Sequence, residues 1–261
     1  MRHFRRRILL NALLVAAAFP CFGQDSASHA LLYGEGITAQ GSIGYSAVRD
    51  DHISTGKYSG TVSSAALQWS RVHESYLFRL EMLYQKAASI KNHNVSAEVS
   101  AGEIALTELY PLQPWTLFGT EVNVGLGPWA DVYTHYRKQH IAINSGATPD
   151  VYESTAWLFS LGVRLEAVVP IGDSFQAGAA IQSGVLSMGG GTGGDPHSGT
   201  NLTLLTPLAG LHARSEIVIS YRPFEFISIA AGYRFDILRV DSWNYLVDAS
   251  DIGFLALTCH I

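Results

Sequence analysis

The sequence predicts an all-β fold, namely a transmembrane, antiparallel, up-and-down β-barrel of ten strands. Charged residues make up only 15% of the 261 residues and hydrophobic residues 48%, a balance unlike that of soluble domains. A helical membrane protein would contain apolar runs of about 20 residues, and none follows residue 23. Polar and apolar residues alternate instead, which indicates strands with one apolar face. Eight strands remain compatible with this pattern if the second and fourth are misread.

Residues 1–23 have the pattern of a cleaved signal peptide. Four arginines occur among the first seven residues, an apolar stretch covers residues 8–19, and the small residues Cys21 and Gly23 precede the predicted cut. The apolar stretch is too short to span a bilayer, which disfavours an uncleaved anchor helix. Acylation of Cys21, as in lipoproteins, is the other alternative, but the Phe19-Pro20 pair does not match the residues expected before such a cysteine.

The exported chain, residues 24–261, is predicted to be a single barrel domain with an acidic balance. Removal of the signal peptide takes away four of the 17 basic residues and none of the 22 acidic ones, which leaves 13 basic groups against 22 acidic ones and a net charge of −9. Nucleic-acid binding requires a basic surface, so this class of partner is excluded. Cys259 is the one cysteine left, so no internal disulfide is expected.

Ten segments of the exported chain alternate between apolar and polar residues. In the segment 157–167 the odd-numbered positions are apolar, while Arg164 and Glu166 lie on the opposite face. The alternation changes phase near Gly102, which predicts a β-bulge there. A soluble β-sandwich also alternates, but its strands are shorter and its outer surface carries more charge. The predicted strands are 37–47, 58–71, 78–85, 94–110, 118–126, 157–167, 175–181, 211–221, 227–237 and 251–261.

Short and long connections alternate strictly along the chain. Long connections follow every odd strand, which is the arrangement of outer-membrane barrels with short periplasmic turns and longer external loops. Both termini are therefore expected in the periplasm. A β-sandwich gives no reason for short and long connections to alternate in this way. The short connections are 73–75, 111–114, 170–174 and 223–225, and the long ones are 49–56, 86–93, 136–154, 187–208 and 240–250.

From residue 24 onward the chain resembles the small outer-membrane β-barrel proteins of Gram-negative bacteria, of the OmpA, OmpX and OmpW type. The resemblance is architectural and rests on the signal peptide, the two-residue repeat, the loop asymmetry and a C-terminal strand. That strand ends in Leu255, Leu257, Cys259 and Ile261, and it lacks the terminal Phe or Trp common in these proteins. The resemblance implies a place in the bacterial outer membrane, contact with outer-membrane lipid and recognition by the barrel assembly machinery during biogenesis.

Charged residues on the inward faces of the predicted strands indicate a lumen filled by ion pairs. An Arg-x-acid motif occurs in four strands, so each would bring a cation and an anion about 7 Å apart into one space. Buried charges need partners, and a barrel of this size has an interior about wide enough for its own side chains. We predict a plugged lumen, with a narrow channel as the alternative. The predicted network consists of Arg79, Glu81, Glu121, Arg164, Glu166, Arg214, Glu216, Arg234 and Asp236.

No catalytic, cofactor-binding or metal site is predicted from the sequence. The Asp50-Asp51-His52 segment is interpreted as a solvated acidic loop. His73 and Ser75 have the spacing of a His–Ser nucleophile pair but fall on a short turn. His212 is interpreted as a lumen histidine with a partner. Further residues are interpreted as parts of loops without metal-ligand spacing or a phosphate-binding pattern, namely His135, His140, His197 and the glycine-rich stretch 189–194.

The sequence as a whole predicts a non-enzymatic integral outer-membrane barrel that serves envelope structure or surface interaction. A narrow porin-like channel for ions or small solutes is the main alternative, and an outer-membrane hydrolase is the third. The long loops 136–154 and 187–208 are where a ligand would bind, although their polar sequences indicate no particular one.

Overall fold

The computed structural model describes most of the chain after the predicted signal peptide. The described residues are 32–50, 57–91, 95–117, 119–141, 150–194, 201–202, 206–207, 210–240 and 246–261, and they form strands and turns. Within these ranges no helix has the length and apolar character needed to cross a membrane. The predicted signal peptide and the Asp51-His52 pair lie outside the described residues.

Ten long strands form a single closed antiparallel sheet, which confirms the predicted ten-stranded barrel. Each strand pairs with the next one along the chain, and the last pairs with the first. Closure removes sheet edges, so the backbone groups of the wall are paired internally, as hydrocarbon requires. The strands are β1 (Gly36–Asp50), β2 (Lys57–Val72), β3 (Leu77–Lys91), β4 (Val95–Pro111), β5 (Thr120–Ile141), β6 (Asp150–Ile171), β7 (Phe175–Gly194), β8 (Gly210–Phe224), β9 (Ile227–Val240) and β10 (Leu246–Cys259).

Three short strands are added to this wall. The strand Trp115–Leu117 pairs with the first residues of β5. The two-residue strands Asn201–Leu202 and Thr206–Pro207 pair with the end of β7, where they extend the sheet beyond the barrel proper.

The outer surface of the barrel is apolar. Large aliphatic side chains point outward around the wall, and Ile181, Ile217 and Leu255 are each more than 60% exposed. In β10 buried and exposed residues alternate from Ser250 to Cys259. Soluble monomers rarely expose a contiguous apolar surface of this extent, whereas a lipid-facing barrel wall requires it. We call this surface the apolar belt.

The two ends of the barrel differ. At one end, the turn end, the described connecting residues are 73–76, 112–117, 119, 172–174 and 225–226, and both ends of the described chain, Leu32 and Ile261, lie there. At the other, the loop end, the strands continue farther than the sequence predicts. Strands β5 and β6 each have 22 residues, about twice the length that a tilted strand needs to cross a bilayer.

The predicted loop boundaries at 136–154, 187–208 and 240–250 are therefore wrong in part. The hairpin of β5 and β6 pairs regularly as far as Ile141 and Asp150, and β10 begins at Leu246. These parts of the strands extend beyond the apolar belt, so their outward residues are no longer apolar. The alternation of polar and apolar residues therefore disappears although the strand continues. The glycine-rich stretch belongs to β7, where Gly190 leaves space for the indole of Trp157 on β6.

The predicted bulge near Gly102 is also wrong. Strand β4 keeps its register with β5 through this region, with Gly102 opposite Thr134. Residues Ala97, Val99 and Ala101 are buried in the lumen. The apparent change of phase arises because the inward face becomes apolar toward the loop end, so hydrophobicity no longer identifies the outer face.

Candidate functional site

The lumen is filled by three layers of side chains. The turn-end apolar layer comprises Leu32, Tyr33, Val168, Ala180, Val218, Ala230, Phe254 and Ala256. The loop-end apolar layer comprises Val48, Tyr58, Val62, Ala87, Ile90, Ala97, Val99, Ala101, Tyr133, Ala156, Leu158, Leu238, Val240, Leu246 and Ile252. Between them lies a charged layer of arginines, carboxylates and histidines, which is the candidate functional site.

The N-terminal part of the described chain closes the turn end. Gly34 and Gly36 have positive φ angles of 71° and 141°, and a Cβ on Gly36 would lie 2.1 Å from the carbonyl oxygen of Cys259. These glycines let the chain bend from the lumen into the wall at β1. Leu32 and Tyr33 are consequently held inside the barrel, and the Tyr33 hydroxyl donates a hydrogen bond of 2.6 Å to Glu216 Oε1.

One half of the charged layer is built around Glu166. Arg79 on β3 donates to the Glu166 carboxylate across the lumen, and Arg164 Nε contacts Glu166 Oε1 at 2.7 Å. Arg164 also reaches Glu216 Oε2 at 3.3 Å and donates to the side-chain oxygen of Gln182. Arg79, Arg164 and Glu166 are at most 3% exposed, so every one of these charges depends on its partners rather than on bulk water.

The other half is built around Arg214, whose guanidinium contacts three carboxylates. Its Nε lies 2.5 Å from Asp236, its Nη1 lies 3.0 Å from Glu81, and its Nη2 lies 2.5 Å from Glu103. Arg234 Nε lies 2.9 Å from the other oxygen of Asp236. Because Glu81 and Glu103 come from β3 and β4, Arg214 on β8 ties together opposite sides of the barrel.

Two histidine–carboxylate pairs complete the charged layer. His212 Nδ1 lies 2.8 Å from Asp131 Oδ2, and His135 Nε2 lies 3.1 Å from Asp248 Oδ2. The His212 ring packs against Trp129 and Tyr133. All four paired side chains are at most 3% exposed.

Comparison with known proteins gives matches at the level of the fold. No protein-family model and no curated protein matches the chain. The outer membrane protease OmpT from Escherichia coli is 9% identical, with a TM-score of 0.52, over 90% of this chain and 100% of that one. The translocator domain of the autotransporter NalP from Neisseria meningitidis is 11% identical, with a TM-score of 0.48, over 100% and 98% of the two chains. Ail of Yersinia pestis is 10% identical, with a TM-score of 0.35, over 85% and 99%.

The chain has the fold of a small outer-membrane β-barrel. The closed ten-stranded sheet and the outward apolar belt are features of this architecture.

In this outer-membrane barrel the predicted network residues meet in the charged layer, with one exception. Glu121 is exposed and lies opposite Thr116 at the turn end, so its expected place in the lumen is wrong. The reason is that the first residues of β5 pair with the short strand Trp115–Leu117 instead of lining the barrel interior.

Several members of the charged layer do not follow from the sequence pattern. His135 is predicted in a loop and instead lies on β5, fully buried. Glu103, Asp131 and Asp248 do not belong to an Arg-x-acid motif. On β5 the odd-numbered residues point inward. Continuing this alternation from Asn123 identifies Asp131 and His135 as lumen residues.

The other candidate residues that the structure describes lie apart from the charged layer. His73 and Ser75 are exposed at the turn end of the outer-membrane barrel, and the His73 ring stacks on Tyr76. His140 lies in β5 opposite Val151 near the loop end. His197 lies outside the described residues, and the side chain of Asp50 is not described.

Proposed function

We propose that the protein is a closed, non-conducting and non-enzymatic outer-membrane barrel that serves envelope structure or surface interaction. The filling of the lumen by three successive layers is the observation that carries this proposal. The fold and the apolar belt support a place in the bacterial outer membrane, in contact with its lipid.

The layers argue against the channel alternative. A conducting pore needs a continuous path wide enough for hydrated or coordinated ions. At the loop end four side chains of the apolar layer are completely buried, namely those of Tyr58, Ile90, Leu158 and Leu246. At the turn end Leu32 and Tyr33 occupy the lumen, so the charged layer has buried side chains on both sides of it.

The burial of the histidines argues against a hydrolase. A general base must lie within hydrogen-bond reach of the proton that it removes, or one water away from it. The pairs His212–Asp131 and His135–Asp248 lie inside the barrel with at most 3% exposure. A peptide or lipid substrate at the barrel surface therefore has no access to them.

We expect the purified protein to give no steady openings in planar lipid bilayers. The Arg164→Ala variant removes one side chain from the charged layer and should raise brief leakage, and a double variant with Tyr33→Ala should leak more because it also thins the turn-end apolar layer. Steady large openings of the unchanged protein in single-channel recordings would overturn the closed-barrel proposal and favour the channel.

The turn end is proposed to face the periplasm, with both termini there. The short turns and both ends of the described chain lie at this end, and the longest strands rise at the opposite end. Outer-membrane barrels place short turns in the periplasm and longer extensions outside the cell. The outward Leu255 and Leu257 near the end of β10 support recognition by the barrel assembly machinery during biogenesis.

Cysteine labelling in whole cells tests this orientation. In a Cys259→Ser background, Glu153→Cys near the loop end should react with a membrane-impermeant maleimide in intact cells. Ser75→Cys, on an exposed turn at the other end, should react only after the outer membrane is permeabilised. Labelling of Ser75→Cys but not of Glu153→Cys in intact cells would reverse the proposed orientation.

A further inference from the structure

We propose that the charged layer contains a binding site for a divalent transition metal, best matched to Zn²⁺, formed by Glu103, Asp131 and His212. One ligand atom from each residue lies within 4.8 Å of the other two. The residues come from β4, β5 and β8, so the site exists only in the closed barrel. The site is independent of the closed-barrel proposal, because a metal ion here neither opens nor closes the lumen.

Two carboxylate oxygens of this cluster have no partner. Within the described part of the chain, Glu103 Oε1 and Asp131 Oδ1 are buried without a hydrogen bond, while His212 is directed toward Asp131 through Nδ1. A buried acceptor left without a partner is unfavourable, and more so when it is charged. Both carboxylates are engaged on their other oxygen, Glu103 by Arg214 and Asp131 by His212. One oxygen of each therefore remains available for a cation.

The donor set suits Zn²⁺ better than the alkaline-earth ions. Zinc binds histidine nitrogen and carboxylate oxygen at about 2.0–2.2 Å and accepts three protein ligands with a water as the fourth. Calcium requires six to eight oxygen ligands, and magnesium near-ideal octahedral oxygen geometry. Small rotations of the three side chains bring atoms now within 4.8 Å to the separation of about 3.4 Å that follows from tetrahedral bonds of this length.

The surroundings hold the three side chains in place. Arg214 contacts Glu103 at 2.5 Å, and Trp129 and Tyr133 each pack 5.3 Å from the His212 ring between ring centres. Partners of this kind orient metal ligands and increase affinity. They also limit the rotation of the imidazole, which keeps Nδ1 directed toward Asp131.

The second histidine–carboxylate pair provides an internal control. Asp248 has both oxygens engaged, since Oδ1 accepts from Ser46 at 2.6 Å and from Ser250 at 3.2 Å, and Oδ2 contacts His135. The pair is as deeply buried as His212–Asp131, but it offers no free carboxylate oxygen. Because the two pairs are alike in burial, a difference in metal binding between them reports the set of available ligands.

The test is to refold the chain from urea into detergent micelles with excess Zn²⁺, remove free metal by gel filtration and determine bound zinc by mass spectrometry. We expect about one zinc ion per unchanged chain. Glu103→Gln and Asp131→Asn should reduce bound zinc at least tenfold, whereas the control Asp248→Asn should retain it. Heat-modifiable migration on gels verifies that each variant has formed a barrel.

A measurement on the unchanged chain keeps the proposal testable if the variants do not fold. Refolding with Co²⁺ in place of Zn²⁺ should give the intense visible absorption of a four-coordinate cobalt site, and added Zn²⁺ should remove it. Lack of retained zinc in the unchanged chain, or equal retention by Glu103→Gln, Asp131→Asn and Asp248→Asn, would overturn the site and leave the barrel proposal intact.

Discussion

Replacement of Glu166 by Gln should lower the free energy of unfolding by about 3–5 kcal/mol, the range observed when one partner of a buried ion pair is removed. The Glu166 carboxylate is completely buried and accepts hydrogen bonds from Arg79 and Arg164. A neutral amide of the same shape leaves both guanidinium groups with one fewer negative partner in the lumen. The change is measured by urea titration of the protein folded into lipid vesicles, followed by tryptophan fluorescence.

Glu153→Gln is the matched control, because it makes the same substitution on the same strand. Glu153 is 54% exposed and lies 3.0 Å from Lys138 on the neighbouring strand. Exposed ion pairs of this kind contribute about 0–1 kcal/mol. Equal effects of the two substitutions would contradict the assignment of Glu166 to the structural centre of the charged layer.

Ile217→Arg should lower the free energy of unfolding in lipid by about 2–4 kcal/mol, the cost of a cation facing the bilayer midplane. Ile217 is 63% exposed near the middle of β8, between Ala179 of β7 and Tyr233 of β9. In a water-soluble protein an exposed isoleucine tolerates this change. The size of the loss therefore measures whether the apolar belt is in contact with hydrocarbon.

Val151→Arg is the control for the apolar belt. Val151 is also outward and exposed, at 38%, but it lies at the beginning of β6 near the loop end. A cation there lies at or beyond the membrane interface and should cost about 0–1 kcal/mol. The free energy of unfolding is again measured by urea titration of the protein folded into lipid vesicles. Similar losses of this free energy for both arginine variants would show that Ile217 does not face the hydrocarbon core.

The fold is predictable from the sequence wherever the two faces of a strand meet different surroundings. Along β6, Leu161 and Leu165 point outward into the apolar belt while Arg164 and Glu166 point into the lumen, so a period of two is visible. Near the loop end the inward face is itself apolar, as Val99 on β4 shows. Hydrophobicity then does not indicate which side chains point inward, and the predicted bulge and loop boundaries are wrong there.

The charged layer is predictable only in part, because its contacts join strands that are not neighbours. The Arg-x-acid motifs identify inward residues such as Arg214 and Asp236 from their spacing alone. Glu103 has no arginine two positions away on β4, and its partner Arg214 is 111 positions away. The sequences around Glu103 and Arg214 do not specify that these residues face each other across the lumen. Closure of the barrel determines which residues meet there.

These cross-lumen contacts bear on how the chain assembles. Arg79 and Glu166 are 87 residues apart on β3 and β6, and no hairpin of adjacent strands brings them together. Contacts between such distant segments form late, after shorter-range pairings. Until β10 seals against β1, cross-lumen pairs such as Arg79 and Glu166 are not held together, and an open sheet cannot place that face in hydrocarbon. We therefore expect insertion into the bilayer and sealing of the seam to occur as one cooperative event.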